Sequence, residues 1–185
     1  MSSADVGRFL AGRTVGFLVA PFGVDDQELE GPWSAAHDAG AEPVLIAPRL
    51  GKVQSLRDGN AHGVYDVDQT VEDTTLQDLD ALVLPDGKQN TRTLRDDAAA
   101  VALIRAYGTS GKPVGAFGHA VGLMLDAGLL VGRNVTSHAR TREEIQRAGG
   151  KWHDRRVVVD DNIITSRTSQ DVEAFNTQMI AFLDR

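Results

Sequence analysis

Lys112-Pro113-Val114-Gly115-Ala116-Phe117-Gly118-His119-Ala120 decides how the rest of the chain is read. Its short apolar run stops abruptly at Gly118-His119. The next residues, Val121-Gly122-Leu123-Met124-Leu125-Asp126-Ala127-Gly128-Leu129-Leu130, read as a helix ending at a glycine. A buried strand that turns sharply into a helix presents its turn at the carboxyl edge of a sheet, where open α/β folds bind ligands. The start of that helix also offers backbone N–H groups to an anion or a developing oxyanion.

Outward from this turn, the alternation of strand and helix recurs. Thr14-Val15-Gly16-Phe17-Leu18-Val19-Ala20 is a compact apolar run, read as a central strand that Pro21-Phe22-Gly23-Val24-Asp25-Asp26 ends. A helix is expected over 26–39, with acids at its start to suit the helix dipole and Gly40 to close it. Val44-Leu45-Ile46-Ala47 is a second strand, stopped by Pro48. Residues 52–67 alternate and hold several glycines, as short strands or a hairpin do. Leu82-Val83-Leu84 is another buried strand, ending at Pro85-Asp86-Gly87. One helix is expected over 91–107, a short strand at Val135-Thr136-Ser137, and a helix over 142–148. Val157-Val158-Val159 and Ile163-Ile164-Thr165 form a hairpin pattern across Asp160-Asp161-Asn162, and 171–184 is a final amphipathic helix. This order implies an α/β fold: a mainly parallel sheet with helices on both faces. No repeat or linker divides the 185 residues, so one domain over 1–185 is expected.

Composition narrows the function. The net charge of -7 argues against sequence-independent binding to nucleic acid, which needs a basic surface. No apolar run approaches a membrane span. Met1-Ser2-Ser3-Ala4-Asp5-Val6-Gly7-Arg8 lacks the pattern of a signal peptide, so a cytoplasmic location is expected. The chain has no cysteine, which removes disulfides, thiolate catalysis and cysteine-bound metals. None of the five histidines has metal-site spacing with acidic partners, and neither metal nor cofactor is expected.

Several motifs, in order, carry a resemblance. They are Gly23-Val24-Asp25-Asp26-Gln27-Glu28-Leu29, Ala81-Leu82-Val83-Leu84-Pro85-Asp86-Gly87, Gly111-Lys112-Pro113-Val114, the 118–119 turn, and Ala127-Gly128-Leu129-Leu130-Val131-Gly132-Arg133-Asn134-Val135-Thr136-Ser137. Ala148-Gly149-Gly150-Lys151-Trp152 and Thr165-Ser166-Arg167 complete the series. It resembles the DJ-1/PfpI (ThiJ) family from about 15 to 182. The resemblance implies a flavodoxin-like sandwich and a homodimer. It places Gly118 where that family's A-I-C-H-G-P turn has a nucleophilic cysteine. It also places Asp25 where a glutamate contacts that cysteine, Asp86 where the L-P-G-G turn has its first glycine, and Ala120 where a glycine follows the histidine.

The candidate site gathers around these departures. Gly118 accepts positive φ without penalty. It reads either as a dead turn or as room for a larger substrate. His119 is the turn's general acid or base, its pKa range suiting proton transfer near neutrality; the plain alternative is a histidine that fills a helix start. Asp25 and Asp86 are expected to converge on the pocket, where neighbouring carboxylates make an acid and a base. Between the adjacent acids, the cap of the 26–39 helix is assigned to Asp26 and the pocket role to Asp25. Asp86 also suits a plain Pro-Asp-Gly turn. Gly87, Ala120, Trp33 and His138 complete the expected lining, with Trp33 as a pocket wall or a subunit contact; Arg167 is structural or interfacial.

The resulting reading is a cysteine-independent enzyme doing acid–base chemistry on a small, mostly apolar carbonyl compound. Dehydration, hydration, or conjugate addition with cyclisation all fit, as does a place in natural-product biosynthesis. The alternatives are a non-enzymatic stress-response or interaction protein, and a glyoxalase-, deglycase- or peptidase-like hydrolase, against which the missing cysteine argues.

Overall fold

Seven strands form the central sheet, and their side chains sort into two cores. The structure, a computed structural model, describes residues 9–185; the octapeptide read above for a leader lies outside them. In chain order come β1 (Thr14–Leu18), β2 (Phe22–Asp25), α1 (Asp26–Asp38), β3 (Glu42–Ala47), β4 (Lys52–Arg57), β5 (Asn60–Asp66), β6 (Gln69–Thr70) and β7 (Ala81–Leu84). Next are α2 (Lys88–Arg95), α3 (Ala98–Thr109), β8 (Val114–Phe117), α4 (Val121–Asp126), β9 (Asn134–Val135), α5 (Arg142–Arg147) and β10 (Lys151–Trp152). β11 (Val157–Asp160), β12 (Ile163–Ser166) and α6 (Val172–Leu183) close the chain.

The sheet order is β11-β12-β8-β7-β1-β3-β6. Every neighbour pair is parallel except β11–β12. Alternation along the strands explains the two-sided burial. Leu82, Leu84, Val114 and Ala116 join α3 and α4 residues such as Ile104, Tyr107 and Met124 in one core. Val15, Phe17, Val83 and Phe117 join Leu29, Phe175 and Met179 of α1 and α6 in the other. Gly115 is required on the second face, because a Cβ there would overlap the Phe175 ring.

Several sequence readings are corrected. The helix expected over 91–107 is two helices. Asp97 breaks it by accepting from the Ala100 N–H, capping α3 after α2 has ended at Arg95. The helix expected over 121–130 ends at Asp126, with Gly128 just beyond in the left-handed region at φ 75°. The segment read as ending the first strand contains β2, which pairs with β4 of the 52–66 hairpin in a separate three-stranded sheet. Val135 belongs to a two-residue strand that stops before Thr136.

The cap at α1 is also reversed. Asp25 is the N-cap, its Oδ1 accepting from the N–H groups of Gln27 and Glu28 at 3.0 and 3.1 Å. Asp26 is fully buried and binds the hairpin instead, accepting from Ser55 Oγ at 2.5 Å, Tyr65 Oη at 2.8 Å and Arg57 Nη2 at 2.5 Å. Burial pushes the Asp26 pKa up, but these hydrogen bonds outweigh it and hold the carboxyl below its ordinary 3.8.

Asp26→Ala should cost about 2–3 kcal/mol in urea unfolding, less than the ~3–5 of a fully buried pair because Arg57 is partly exposed. The sign with pH follows from the lowered value. The Asp26 contribution is complete above the unfolded pKa and is lost as pH falls through the folded one. Asp26→Asn should therefore flatten the acid limb of stability against pH; an unchanged limb would count against this network.

Candidate functional site

β7 and β8 are adjacent and parallel, with Leu84 opposite Ala116. The turns that follow them, Pro85-Asp86-Gly87 and Gly118-His119, therefore meet at the carboxyl edge of the sheet. Gly118 adopts φ 51°. A Cβ at 118 would overlap the Asp86 Oδ2 oxygen and lie 3.2 Å from the Arg167 carbonyl. Gly118 thus opens no channel, because the Asp86 carboxylate stands in the space a side chain there would use.

That carboxylate is fully engaged. Oδ2 accepts from the His119 backbone N–H at 2.7 Å and lies 2.8 Å from His119 Nδ1. Oδ1 accepts from the Gly87 N–H at 2.7 Å and from Thr91 Oγ1 at 3.2 Å. The His119 N–H that the sequence offered to an outside anion is taken by the protein's own carboxylate. The backbone of Asp86 is clamped as well. Its N–H donates to Glu28 Oε2 at 2.9 Å, and its carbonyl accepts from the Asp25 N–H at 2.8 Å.

These contacts set the tautomer of His119. A carboxylate only accepts, so Nδ1 carries the proton and Nε2 is left as the basic nitrogen. The ring stacks on His138, with centroids 4.2 Å apart and planes 20° apart. Burial first, then the neighbouring His119, holds the His138 pKa below its ordinary value. Its Nδ1 accepts from the Arg140 N–H at 3.2 Å, which orients the ring.

Three carboxyls share the neighbourhood. Burial raises the Asp25 pKa, two backbone hydrogen bonds oppose this, and the Asp86 and Asp26 charges add to it. Glu28 is almost completely buried. Desolvation, then the charges of Asp86 and Asp25, push its pKa well above the ordinary 4.5. The sequence reading gave Glu28 no role; the available signal was an acid beside the inward-facing Leu29.

The groove beside His119 is lined by residues with polar or charged side chains. α2 supplies Lys88, Thr91, Arg92 and Arg95, and Thr141 and Glu144 close it. Charged side chains at its rim do not suit the mostly apolar substrate expected from sequence. Gly87 is in the site at φ 128°, pressed against the Gly23 carbonyl so closely that a Cβ would overlap it. Ala120 is wholly buried in the α3–α4 core and lines nothing. Trp33 lies elsewhere: its ring packs on Phe17 at 5.1 Å and walls a separate cleft with Leu45 and Tyr65. Arg167 is bound to Asp171 and Asp154, as a structural residue would be. Among the described residues, no group of three or more His, Cys, Asp or Glu is arranged to hold a metal.

Comparison with known proteins places the chain in a wider group. The DJ-1/PfpI family model matches residues 13–182. General stress protein 18 of Bacillus subtilis is 34% identical over 169 residues, covering 91% of this chain and 96% of that protein. Protein/nucleic acid deglycase 2 of Escherichia coli is 33% identical over 160 residues, covering 86% and 91%. The crystal structure of a ThiJ/PfpI domain protein from Brachyspira murdochii superposes with a TM-score of 0.86 at 20% identity, over 94% of this chain and 98% of that one, a likeness of fold.

Two outcomes test the packing of the turn. Gly118→Ala should lose about 2–4 kcal/mol through positive φ and overlap with Asp86. Adding Asp86→Gly should recover about 1–3 kcal/mol of that as coupling in a double-mutant cycle; strict additivity would mean the two positions do not share space. A carboxyl with a raised folded pKa contributes stability below its unfolded value that is lost as pH rises through the folded one. Glu28→Gln should thus remove a decline in stability above pH 4.5, read from urea midpoints at stepped pH.

Proposed function

The chain belongs to the DJ-1/PfpI family, and from that premise we propose that it is a cysteine-independent acid–base enzyme acting on a small carbonyl compound. The observation that carries this reading is the 2.8 Å contact between Asp86 Oδ2 and His119 Nδ1. On this reading Gly118 stands where the family's nucleophilic cysteine would be, and Asp86 has taken over the vacated space. A thiol mechanism has no residue to run on, since the chain has no cysteine. The deglycase name of the Escherichia coli relative therefore does not transfer through such a mechanism.

In the proposed reaction, His119 Nε2 removes a proton from the carbon next to the carbonyl. The electron pair moves into the enolate and Nε2 becomes N–H. The imidazolium so formed is stabilised by the Asp86 carboxylate, as an orienting acid stabilises a catalytic histidine. The same Nε2–H then protonates a hydroxyl at the next carbon, water departs, and the carbon–carbon double bond forms. Hydration is the reverse, and an internal nucleophile adding to the double bond gives cyclisation. Burial, with the charges of Asp86 and Asp25, pushes the Glu28 pKa well above its ordinary value, which favours its neutral form beside Asp86.

A second reading is a non-enzymatic stress-response or interaction protein. It draws on the name of the Bacillus subtilis relative and on the complete engagement of Asp86. A homodimer is proposed with either reading, as the family resemblance implies, and sedimentation at micromolar concentration tests it.

The decisive experiment follows deuterium exchange at the carbon next to the carbonyl, by proton NMR in D2O, over a panel of small hydroxy-carbonyl compounds. His119→Gln should slow exchange about 10²–10⁴-fold, and Asp86→Asn should do so through the tautomer it no longer fixes. Exchange that stays within about twofold in both variants, or no exchange with any compound, would favour the non-enzymatic reading.

A further inference from the structure

The cations of α2 are unequal. The eight-residue helix carries Lys88, Arg92 and Arg95 with no acid, against the acidic balance of the whole chain. Arg95 is neutralised: its Nε and Nη2 bind Asp126 at 2.6 and 2.7 Å, and Nη2 binds Glu144 at 2.6 Å. Lys88 and Arg92 are exposed, and among the described residues neither joins an ion pair. They stand four apart, one turn of helix, and so share a face.

That face borders the His119 groove. Lys88 and Arg92 line it together with His119. They also line a second groove that continues along α2. Asp96, at the end of the helix, lines both and is the one carboxylate there that Arg95 does not engage. Lys88 is close enough for its charge to act on His138, the ring stacked on His119. After burial, His119 and Arg140, it is among the causes that hold the His138 pKa down, with Asp86 opposing them.

We infer that Lys88 and Arg92 form an anion subsite beside His119, so that the substrate is a carbonyl compound carrying a carboxylate or phosphate. The inference rests on the acid–base reading for what His119 does, but binding at Lys88 and Arg92 does not. A guanidinium holds such a group through paired hydrogen bonds and an ammonium adds a point charge. An anion fixed at Lys88 and Arg92 brings the reacting carbon to the imidazole that lines the same groove, which converts binding into orientation. The mostly apolar substrate expected from sequence is replaced by a small, polar, anionic one.

The test compares pyruvate with its neutral methyl ester, by calorimetric titration at low and high salt, and adds inorganic phosphate as a competitor. Wild type should bind pyruvate about tenfold more tightly than the ester, and the preference should shrink as salt screens the exposed charges. The Lys88→Gln/Arg92→Gln double variant should abolish the preference. His119→Gln should keep it while losing deuterium exchange at the pyruvate methyl group. Displacement of pyruvate by phosphate means that any compact anion is accepted; failure of phosphate to compete restricts the subsite to carboxylates. Equal affinity for pyruvate and the ester in wild type, or an undiminished preference in the double variant, overturns the subsite. A preserved preference with exchange untouched by His119→Gln leaves the subsite standing and overturns the acid–base reading.

Discussion

The edge of the sheet is organised by one carboxylate held against one glycine. Asp86 places Oδ2 over Gly118, within 2.7 Å of the His119 N–H and 2.8 Å of its Nδ1. Such a placement needs position 118 to lack a side chain and to accept φ 51°. It also needs β7 and β8 to be neighbours in register, so that their turns meet. The start of α1 holds the Asp86 backbone from both sides, through the Asp25 N–H and the Glu28 carboxyl. The Asp26 carboxylate, next in the chain, is committed to the hairpin instead.

Electrostatics follows from that arrangement. Three carboxyls crowd one rim, and the most buried of them, Glu28, has the strongly raised pKa. A proton retained on Glu28 costs less than a third charge in a dry place. Lys88 and Arg92, outside any ion pair among the described residues, line the groove with His119, as do Asp96 and the Arg95-bound Glu144. The imidazole thus has an orienting carboxylate at Nδ1 and shares its groove with two cations outside any ion pair, the pairing on which the proposed anion subsite rests.

The fold and the chemistry must be argued from different residues. The likeness to the family spans 13–182, and Phe17, Phe117 and Phe175 belong to the core on one face of the sheet. None of those residues touches the groove. One fold hosts many reactions, so the proposed chemistry rests on Asp86, His119 and their neighbours alone.

The sequence by itself determined the architecture. Apolar runs such as Val114-Gly115-Ala116-Phe117 and Leu82-Val83-Leu84 are local signals, because a strand buried on both faces must be apolar throughout. It also showed that the chain holds no thiol, and it drew attention to Gly118, His119 and Asp86, whose turns the sheet brings together. Boundaries that rest on a single cap were not legible, as Asp97 shows by dividing the 91–107 stretch. Which of the adjacent acids caps α1 depended on Ser55, Arg57 and Tyr65, about thirty residues and more away in the chain. Tertiary structure alone decided that Asp86 fills the space over Gly118, that Glu28 is buried against the Asp86 backbone, that Trp33 belongs to another cleft and that Lys88 and Arg92 line one groove with His119. Each of these is a distance between segments far apart in sequence, fixed by the order of strands in the sheet and by side-chain packing, and periodicity within one segment carries no record of it.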